Sequence, residues 1–233
     1  MQKLNPYYPL TIRPFDFDEE YASLLNVKGL DKRELSFFDY GEYIGSDYHY
    51  TPSKLEIKYA IHEGKQYKIK TIKKCTFSHC KDLKTLVIGE FVTHIDWNVY
   101  LCSSLDNICV EENNTTYKSI GGVLFKGKEL IAFPQGRIGK YRIPHGTRKI
   151  GNHAFKSSHI SEIILPNTLT EIGINALYEC HNLKEIILPS SIKKIHRNCD
   201  IGDKPIQQKF YLSDDVKKEH PLSIIEVCKK FPV

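Results

Sequence analysis

The chain has 233 residues, 41% of them hydrophobic, so it is long enough to form a buried core without a metal ion or disulfide bonds. Its 33 basic and 28 acidic residues are interspersed and give a net charge of +5, which favours a solvated surface over a nucleic-acid-binding protein. No apolar run has the length of a membrane-spanning helix, and the N-terminus lacks the apolar segment of a signal peptide. These features predict a cytoplasmic protein, or a secreted one whose export signal lies outside this chain.

Residues 1–50 differ from the rest of the chain because they hold 11 of its 26 aromatic residues. Within this segment, residues 18–27 are predicted to form a short helix with acidic residues at its N-terminus. Large side chains suit a cap that packs onto the first repeat, and this is the interpretation we favour. The alternative is a contact surface, since exposed Tyr and Phe supply much contact area at low entropy cost.

A hairpin is predicted over residues 55–72. Its two arms, residues 55–61 and 67–72, alternate apolar and polar side chains around a turn that contains Gly64. A strand pair at this place is expected to cover the first repeat, whose core would otherwise face water.

The repeats are clearest at residues 150–155 and 172–177, where Ile-Gly-Asn-His-Ala-Phe aligns with Ile-Gly-Ile-Asn-Ala-Leu. The same frame opens at five isoleucines, which are Ile72, Ile95, Ile150, Ile172 and Ile195. Successive openings are 23, 55, 22 and 23 residues apart, and the short spacings fall within the window of about 20 to 29 residues that leucine-rich repeats occupy. The spacing of 55 equals one repeat of 22 residues and an insertion of 33.

Each repeat is predicted to form one coil of a solenoid. In Leu83-x-x-Leu86-x-Ile88 the last two apolar residues lie on one face of a short strand, and residues 183–188 repeat the pattern. One strand cannot bury its apolar face alone, so the coils stack and their strands form a parallel sheet. The Ile-Gly-x-x-Ala-Phe segment is expected to make the turn and a short helical return on the opposite side. There, Gly151 and Gly173 permit a conformation that other residues avoid.

Residues 150–155, 172–180 and the Leu-Pro pairs at 165–166 and 188–189 resemble the BspA-like class of bacterial leucine-rich-repeat proteins. The insertion at residues 111–142 is also similar to that class, and the resemblance implies a β-hairpin spliced between repeats. The implied fold is a strand-dominated α/β leucine-rich-repeat solenoid, with a parallel sheet on one face and short helices or turns on the other. The expected organisation is a non-repeat segment at 1–50, a solenoid at 51–204 and a C-terminal cap at 205–233.

The C-terminal part of the chain is rich in basic residues. They are Lys193, Lys194, Arg197, Lys204, Lys209, Lys217, Lys218, Lys229 and Lys230. An anionic partner is one interpretation of this set. Six acidic residues share the same stretch, so a solvated face is favoured.

Few side chains point to chemistry. The pairs His79–Cys80 and Cys180–His181 offer zinc ligands, but their spacing follows the repeat, so buried thiols explain them better. The seven cysteines include no Cys-x-x-Cys pair, which predicts reduced thiols. No Walker loop, GxGxxG, HExxH or GxSxG motif occurs. We therefore expect no enzyme, no cofactor and no metal site.

The strongest functional prediction concerns the strand residues that alternate with the core positions and point outward. They are Thr85, Val87, Asn107, Cys109, Arg142, Glu162, Ile164, Glu185 and Ile187. Four of them, Val87, Cys109, Ile164 and Ile187, are expected to line up across the sheet as an apolar row, interrupted by Arg142, that contacts a partner. Alternatively, β-branched residues only favour strands here, or the caps cover the row.

The resemblance implies a protein-interaction module, often a surface or secreted protein that binds host or matrix components. An adhesin-like protein outside the cell is therefore one hypothesis. An intracellular scaffold is the other, favoured by free cysteines and by the missing signal peptide. In both cases we expect a monomer that binds a protein or another macromolecule, and that neither binds nucleic acid nor inserts into a membrane.

Overall fold

The computed structural model describes the backbone of residues 53–62, 65–72, 83–95 and 102–196, and of three further strands at 10–11, 34–37 and 209–212. These residues hold eighteen strands, and no helix among them is long and apolar enough to span a membrane. In chain order the strands are β1 (Leu10–Thr11), β2 (Glu34–Phe37), β3 (Lys54–Ile57), β4 (Tyr59–His62), β5 (Lys65–Ile72), β6 (Thr85–Ile88), β7 (His94–Ile95), β8 (Asn107–Val110), β9 (Lys118–Ile120), β10 (Val123–Lys126), β11 (Glu129–Ala132), β12 (Gly139–Arg142), β13 (Lys149–Ile150), β14 (Ile160–Ile164), β15 (Glu171–Ile172), β16 (Glu185–Leu188), β17 (Lys194–Ile195) and β18 (Lys209–Leu212). They form a strand-dominated solenoid of about five turns, which confirms the predicted fold class.

The front of the solenoid consists of parallel ladders of its longer strands. β3 pairs with β6 and β6 with β8, while β12 pairs with β14 and β16 pairs with β18. Residues in register hold the same repeat position, as Leu86 and Ile108 do. In β6 and β16, every second residue is buried, because successive side chains of a strand point to opposite faces.

The back of the solenoid is a sheet of shorter strands. β11, β13, β15 and β17 pair in parallel, and Leu130, Ile150, Ile172 and Ile195 form one buried row. Leu130 therefore holds the repeat position that is hidden in the 55-residue spacing. It stands 20 residues before Ile150, so this coil is shorter than its successors.

Turns connect the back strands to the front strands in the two coils that carry the Ile-Gly motif. Residues 152–157 and 174–179 form turns, so the expected short helices are not found there. The N–H groups of His153, Phe155 and Ser157 donate to carbonyls of the next coil, at Ile174, Ala176 and Tyr178, each over 2.8 Å. This third ladder uses N–H groups that a helix would bond internally, and stacking against a neighbouring coil satisfies them without one.

Gly151 and Gly173 are required by close packing between coils. A Cβ at Gly173 would lie 2.6 Å from Asn152 Oδ1 and 2.8 Å from Asn152 N, and a Cβ at Gly151 would lie 3.0 Å from Leu130 O. The expectation that these glycines adopt an unusual backbone conformation is wrong. Positive φ angles occur instead two residues later, 58° at His153 and 51° at Asn175.

The insertion forms three antiparallel strands instead of a single hairpin. β9 and β10 pair around Gly121 and Gly122, and β10 and β11 pair around Gly127. All three glycines have positive φ, which tight strand connections require. The insertion was expected to reach residue 142, but residues 139–142 form β12 and belong to the front of the next coil.

This three-stranded unit separates two hydrophobic cores. The N-terminal core contains the buried apolar residues between Ile57 and Ile108, together with Leu124, Tyr117, Ile131 and Ala132. The C-terminal core contains Val123, Phe125 and Leu130, and the buried apolar residues from Phe133 to Ile195. Because successive residues of β10 point to opposite faces, one strand supplies side chains to both cores.

The hairpin that precedes the repeats is shorter than predicted. β4 and β5 pair antiparallel, from Tyr59 opposite Lys68 to His62 opposite Lys65. Residues 55–57, expected in its first arm, belong to β3 and pair in parallel with β6. β1 and β2 pair with β4 and β5, so parts of residues 1–50 reach the first coil, as a cap would. The helices predicted at 18–27 and in the C-terminal cap lie outside the described residues.

Candidate binding surface

The outward positions of the front strands divide into two groups. The N-terminal outward segment consists of Lys54, Glu56, Thr85, Val87, Asn107 and Cys109, which lie in register across β3, β6 and β8. The C-terminal outward segment consists of Lys140, Arg142, Glu162 and Ile164, in register across β12 and β14, and of Glu185 and Ile187 on β16 beside them. All nine residues predicted from the sequence therefore lie at outward positions.

The C-terminal outward segment places apolar side chains beside charged ones. Ile187 keeps 51% of its surface exposed, and Ile164, at the same repeat position one coil earlier, is half-buried. Lys140 Nζ lies 2.7 Å from Glu162 Oε1 across the β12–β14 ladder. The isoleucines thus stand next to a row of charged side chains on rigid parallel strands.

The N-terminal outward segment is more polar and less exposed. Thr85, Val87, Asn107 and Cys109 are all half-buried. The only described ion pair of this segment joins Lys54 Nζ and Glu56 Oε1 over 2.7 Å, two residues apart on one strand. An apolar partner would find little apolar area here.

The two segments are not continuous, so the apolar row predicted across one sheet is interrupted. Among the described residues, β8 and β12 share no ladder. The turn of the first antiparallel pair stands beside β8 instead, where Ile108 N donates to Gly122 O over 2.9 Å. Arg137 Nη1 donates to Gly121 O over 2.8 Å and ties this turn to the following coil. Val87 and Cys109 therefore lie on one side of the turn, and Ile164 and Ile187 on the other.

Two residues of the surface were missed by the sequence analysis. Ile138, immediately before β12, is 80% exposed, and Lys140 pairs with Glu162. The signal was present in the repeat frame, because residues 138 and 140 precede the in-register pair of Arg142 and Ile164. It was overlooked because the insertion hid the start of that coil.

Two charged networks between coils were also missed. Lys58 Nζ lies 3.0 Å from Glu90 Oε1 and 3.0 Å from Glu111 Oε1, and these carboxylates raise the pKa of Lys58 above its ordinary value. Partial burial alone would raise the pKa of Glu171, but hydrogen bonds from His196 and Lys149 outweigh it and lower that pKa. Both networks join neighbouring coils at the surface, so they indicate structural roles.

The described thiols are unpaired and lie in positions that suit packing. Cys102 and Cys180 are buried, and Cys109 is half-buried. Cys180 Sγ donates to Phe155 O over 3.0 Å, and burial raises the pKa of this thiol to about 11, which disfavours the nucleophilic thiolate. Within the described ranges, no group of three His, Cys, Asp or Glu residues could hold a metal ion. The His79–Cys80 pair lies outside those ranges.

Stacked coils with parallel front and back ladders, buried apolar rows at a period of 22 or 23 residues and an exposed strand face define a leucine-rich-repeat solenoid. A model of the BspA type leucine rich repeat region matches residues 56–134 and 129–200 in six copies. The chain therefore belongs to the BspA-type leucine-rich-repeat family. Proteins with this fold typically mediate interactions with other proteins and are typically not catalysts.

Solved structures with a similar fold come from several bacteria. A leucine-rich cell surface protein from Faecalibacterium prausnitzii is 21% identical, with a TM-score of 0.43 over 67% of this chain and 52% of that chain. A leucine-rich repeat protein from Eubacterium ventriosum is 14% identical, with a TM-score of 0.38 over 61% and 65% of the two chains. The pneumococcal vaccine antigen PcpA is 19% identical, with a TM-score of 0.37 over 76% and 64%. The chain thus spans less than two thirds of the length of each of these proteins. Comparison with curated proteins gave no match.

Proposed function

We propose that this chain is a non-catalytic, monomeric module that binds a partner protein through the outward residues of its front strands, and that it acts as an adhesin-like protein outside the cell. The observation that carries the proposal is the exposure of Ile187, 51% of whose surface lies open to solvent on a rigid strand. Within the described residues, only Ile138 is a more exposed large hydrophobic residue. Such side chains mark contact surfaces when polar groups surround them.

The C-terminal outward segment has the composition of an interface centre and its rim. Ile164 and Ile187 supply apolar area, and Glu162, Glu185 and Arg142 supply charges beside it. The strands that carry them are fixed by ladders on the front and by a packed core behind, so little side-chain and backbone entropy is lost on binding. Thr85, Val87, Asn107 and Cys109 form a second, more polar part of the proposed surface.

The proposal is tested by affinity capture with crosslinking, followed by titration of each captured protein in purified form. Ile164→Asp/Ile187→Asp places two charges in the centre of the surface, and we expect partner affinity to fall at least about 30-fold. Ile138→Asp is the matched control, because it removes an equally apolar and more exposed side chain outside the segment. Identical partners and affinities for the wild type and the double variant would refute the role of this surface.

An intracellular scaffold is the second candidate function, and one observation favours it. All three described cysteines carry free thiols, a state that reducing compartments maintain. Fractionation of cells that express the full gene separates the two candidates. The adhesin-like role requires the protein in the surface or secreted fraction, whereas recovery in the cytoplasm alone supports the scaffold.

A further inference from the structure

A row of basic side chains runs along the back of the solenoid, immediately before the short back strands. Lys128, Arg148, Thr170 and Lys193 occupy the same position in four successive coils. Arg148 N donates to Lys128 O over 2.9 Å, Thr170 N to Arg148 O over 2.8 Å and Lys193 N to Thr170 O over 2.9 Å. The side chains of the three basic residues are exposed. We name these four residues the back stripe.

The acidic residues nearest to the back stripe are already engaged. The adjoining register row consists of Glu129, Lys149, Glu171 and Lys194. Lys149 Nζ lies 3.4 Å from Glu129 Oε1 and 3.5 Å from Glu171 Oε1, and His196 Nε2 also contacts Glu171 Oε1 over 3.1 Å. The two rows together hold five cations and two carboxylates, a net charge of 5 − 2 = +3 with histidine neutral.

We propose that the back stripe binds a linear anionic polysaccharide that runs parallel to the solenoid axis. Parallel strands are about 4.8 Å apart, so the stripe presents charges over about 14 Å in a straight line. A single small anion would contact only one or two of these positions. A polymer with an acidic group at regular intervals meets all three cations, and their combined attraction is what a shallow, exposed surface can offer.

Hydroxyl groups beside the cations favour a sugar polymer over a phosphate polymer. Thr170 Oγ1 donates its proton to Arg148 O over 2.9 Å, and Ser191 Oγ donates to Leu169 O over 2.6 Å. Both oxygens keep lone pairs that can accept a hydrogen bond from a ligand. Sugar hydroxyls are such donors, whereas ionised phosphates have none to give. The stripe also lacks aromatic side chains, which single-stranded nucleic acids use for base stacking.

The proposal is tested with end-immobilised chondroitin sulfate, which carries carboxylate, sulfate and hydroxyl groups on one linear chain. Lys128→Gln/Arg148→Gln/Lys193→Gln should weaken binding about 30-fold, and the slope of log Kd against log salt concentration should fall by about two to three units. The matched control is Lys84→Gln/Lys118→Gln/Lys184→Gln, which removes the same charge from exposed lysines elsewhere. Circular dichroism and thermal melting verify that both variants remain folded.

Two further arms separate polysaccharide from other polyanions. Thr170→Val should weaken chondroitin sulfate binding about fivefold and leave long-chain polyphosphate binding unchanged, because only the sugar donates to the hydroxyl oxygen. Equal or tighter binding of polyphosphate or of oligo(dT) would overturn the assignment, as would an equal loss in the control triple variant. Ile164→Asp/Ile187→Asp should leave polysaccharide binding unchanged, so this proposal and the front-face proposal succeed or fail separately.

Discussion

The two cores of this solenoid are held together in different ways. In the C-terminal core, backbone ladders on the front, the back and the turns link coils of nearly constant length, and few side chains are needed between them. In the N-terminal core, polar side chains bridge coils of unequal length. There Asn114 Nδ2 donates to Gly89 O over 2.8 Å and to Val92 O over 3.0 Å, and Lys58 joins Glu90 and Glu111. Where the repeat is irregular, side chains replace missing backbone contacts.

The largest expected effect comes from the strand that both cores share. Phe125→Ala should destabilise the C-terminal core by about 4 kcal/mol, and Leu124→Ala should destabilise the N-terminal core by about 3 kcal/mol, because each opens a cavity. Hydrogen exchange by residue checks this. Phe125→Ala should lower protection mainly at residues 150–188, and Leu124→Ala mainly at residues 83–110. Equal losses in both regions from both variants would show a single cooperative unit.

Asn114 tests the role of side chains in the N-terminal core. Its Oδ1 accepts hydrogen bonds from Thr116 N over 2.9 Å and from Tyr117 N over 2.8 Å, besides the two that its amide donates. Asn114→Ala should therefore cost about 2 to 3 kcal/mol in chemical denaturation, because buried backbone groups lose their partners. The exposed neighbour gives the control, and Asn113→Ala should change stability by less than about 0.5 kcal/mol. A similar effect of both variants would contradict this role.

Gly173 tests the backbone packing of the C-terminal core. Gly173→Ala brings a Cβ within 2.8 Å of Asn152 N, so we expect a loss of about 2 kcal/mol and a lower thermal midpoint. Gly127→Ala is the control for backbone conformation alone, since Gly127 has a φ of 58° and no atom within 4 Å of its added Cβ. That variant should lose about 1 kcal/mol. A smaller loss at Gly173 than at Gly127 would mean that the coils separate easily.

The smallest expected effect is a pH dependence in the C-terminal coils. Because the folded state lowers the pKa of Glu171, its ionised form stabilises the fold above the unfolded-state pKa of about 4.3. This contribution should be lost as pH falls through the lower folded-state pKa. The group is partly exposed, so the effect should stay below about 1 kcal/mol. Glu171→Gln should flatten this part of the stability profile, and an unchanged acid dependence would exclude Glu171 as its source.

The sequence predicted those features that depend on a regular period. Ile150, Ile172 and Ile195 lie in one buried row, and the outward positions of β6, β14 and β16 follow from alternation alone. The short helices were not found, because N–H groups such as that of Phe155 are satisfied by the next coil, a contact that local sequence does not contain. The division of the apolar row depends on where the turn at Gly122 folds, which is also a contact between distant residues.

The back stripe was equally hidden from sequence comparison. Lys193 was assigned to a basic stretch with six acids near it in the chain, yet its neighbours in space are Thr170 and Arg148. Lys128 could not be aligned with them, because Leu130 replaces the opening isoleucine of its repeat and Ile131 replaces the glycine. Register across coils, and not proximity along the chain, determines this cluster.

The turn ladder gives the solenoid a direction. The N–H groups of His153, Phe155 and Ser157 all donate toward the later coil, so a coil presents donors on one side and accepts on the other. An added coil must therefore enter in the same orientation as its neighbours. Duplication of residues 151–172 would supply such a unit and lengthen both faces by about 4.8 Å without a new kind of contact. The reach of the molecule can thus change by whole coils while each existing surface is kept.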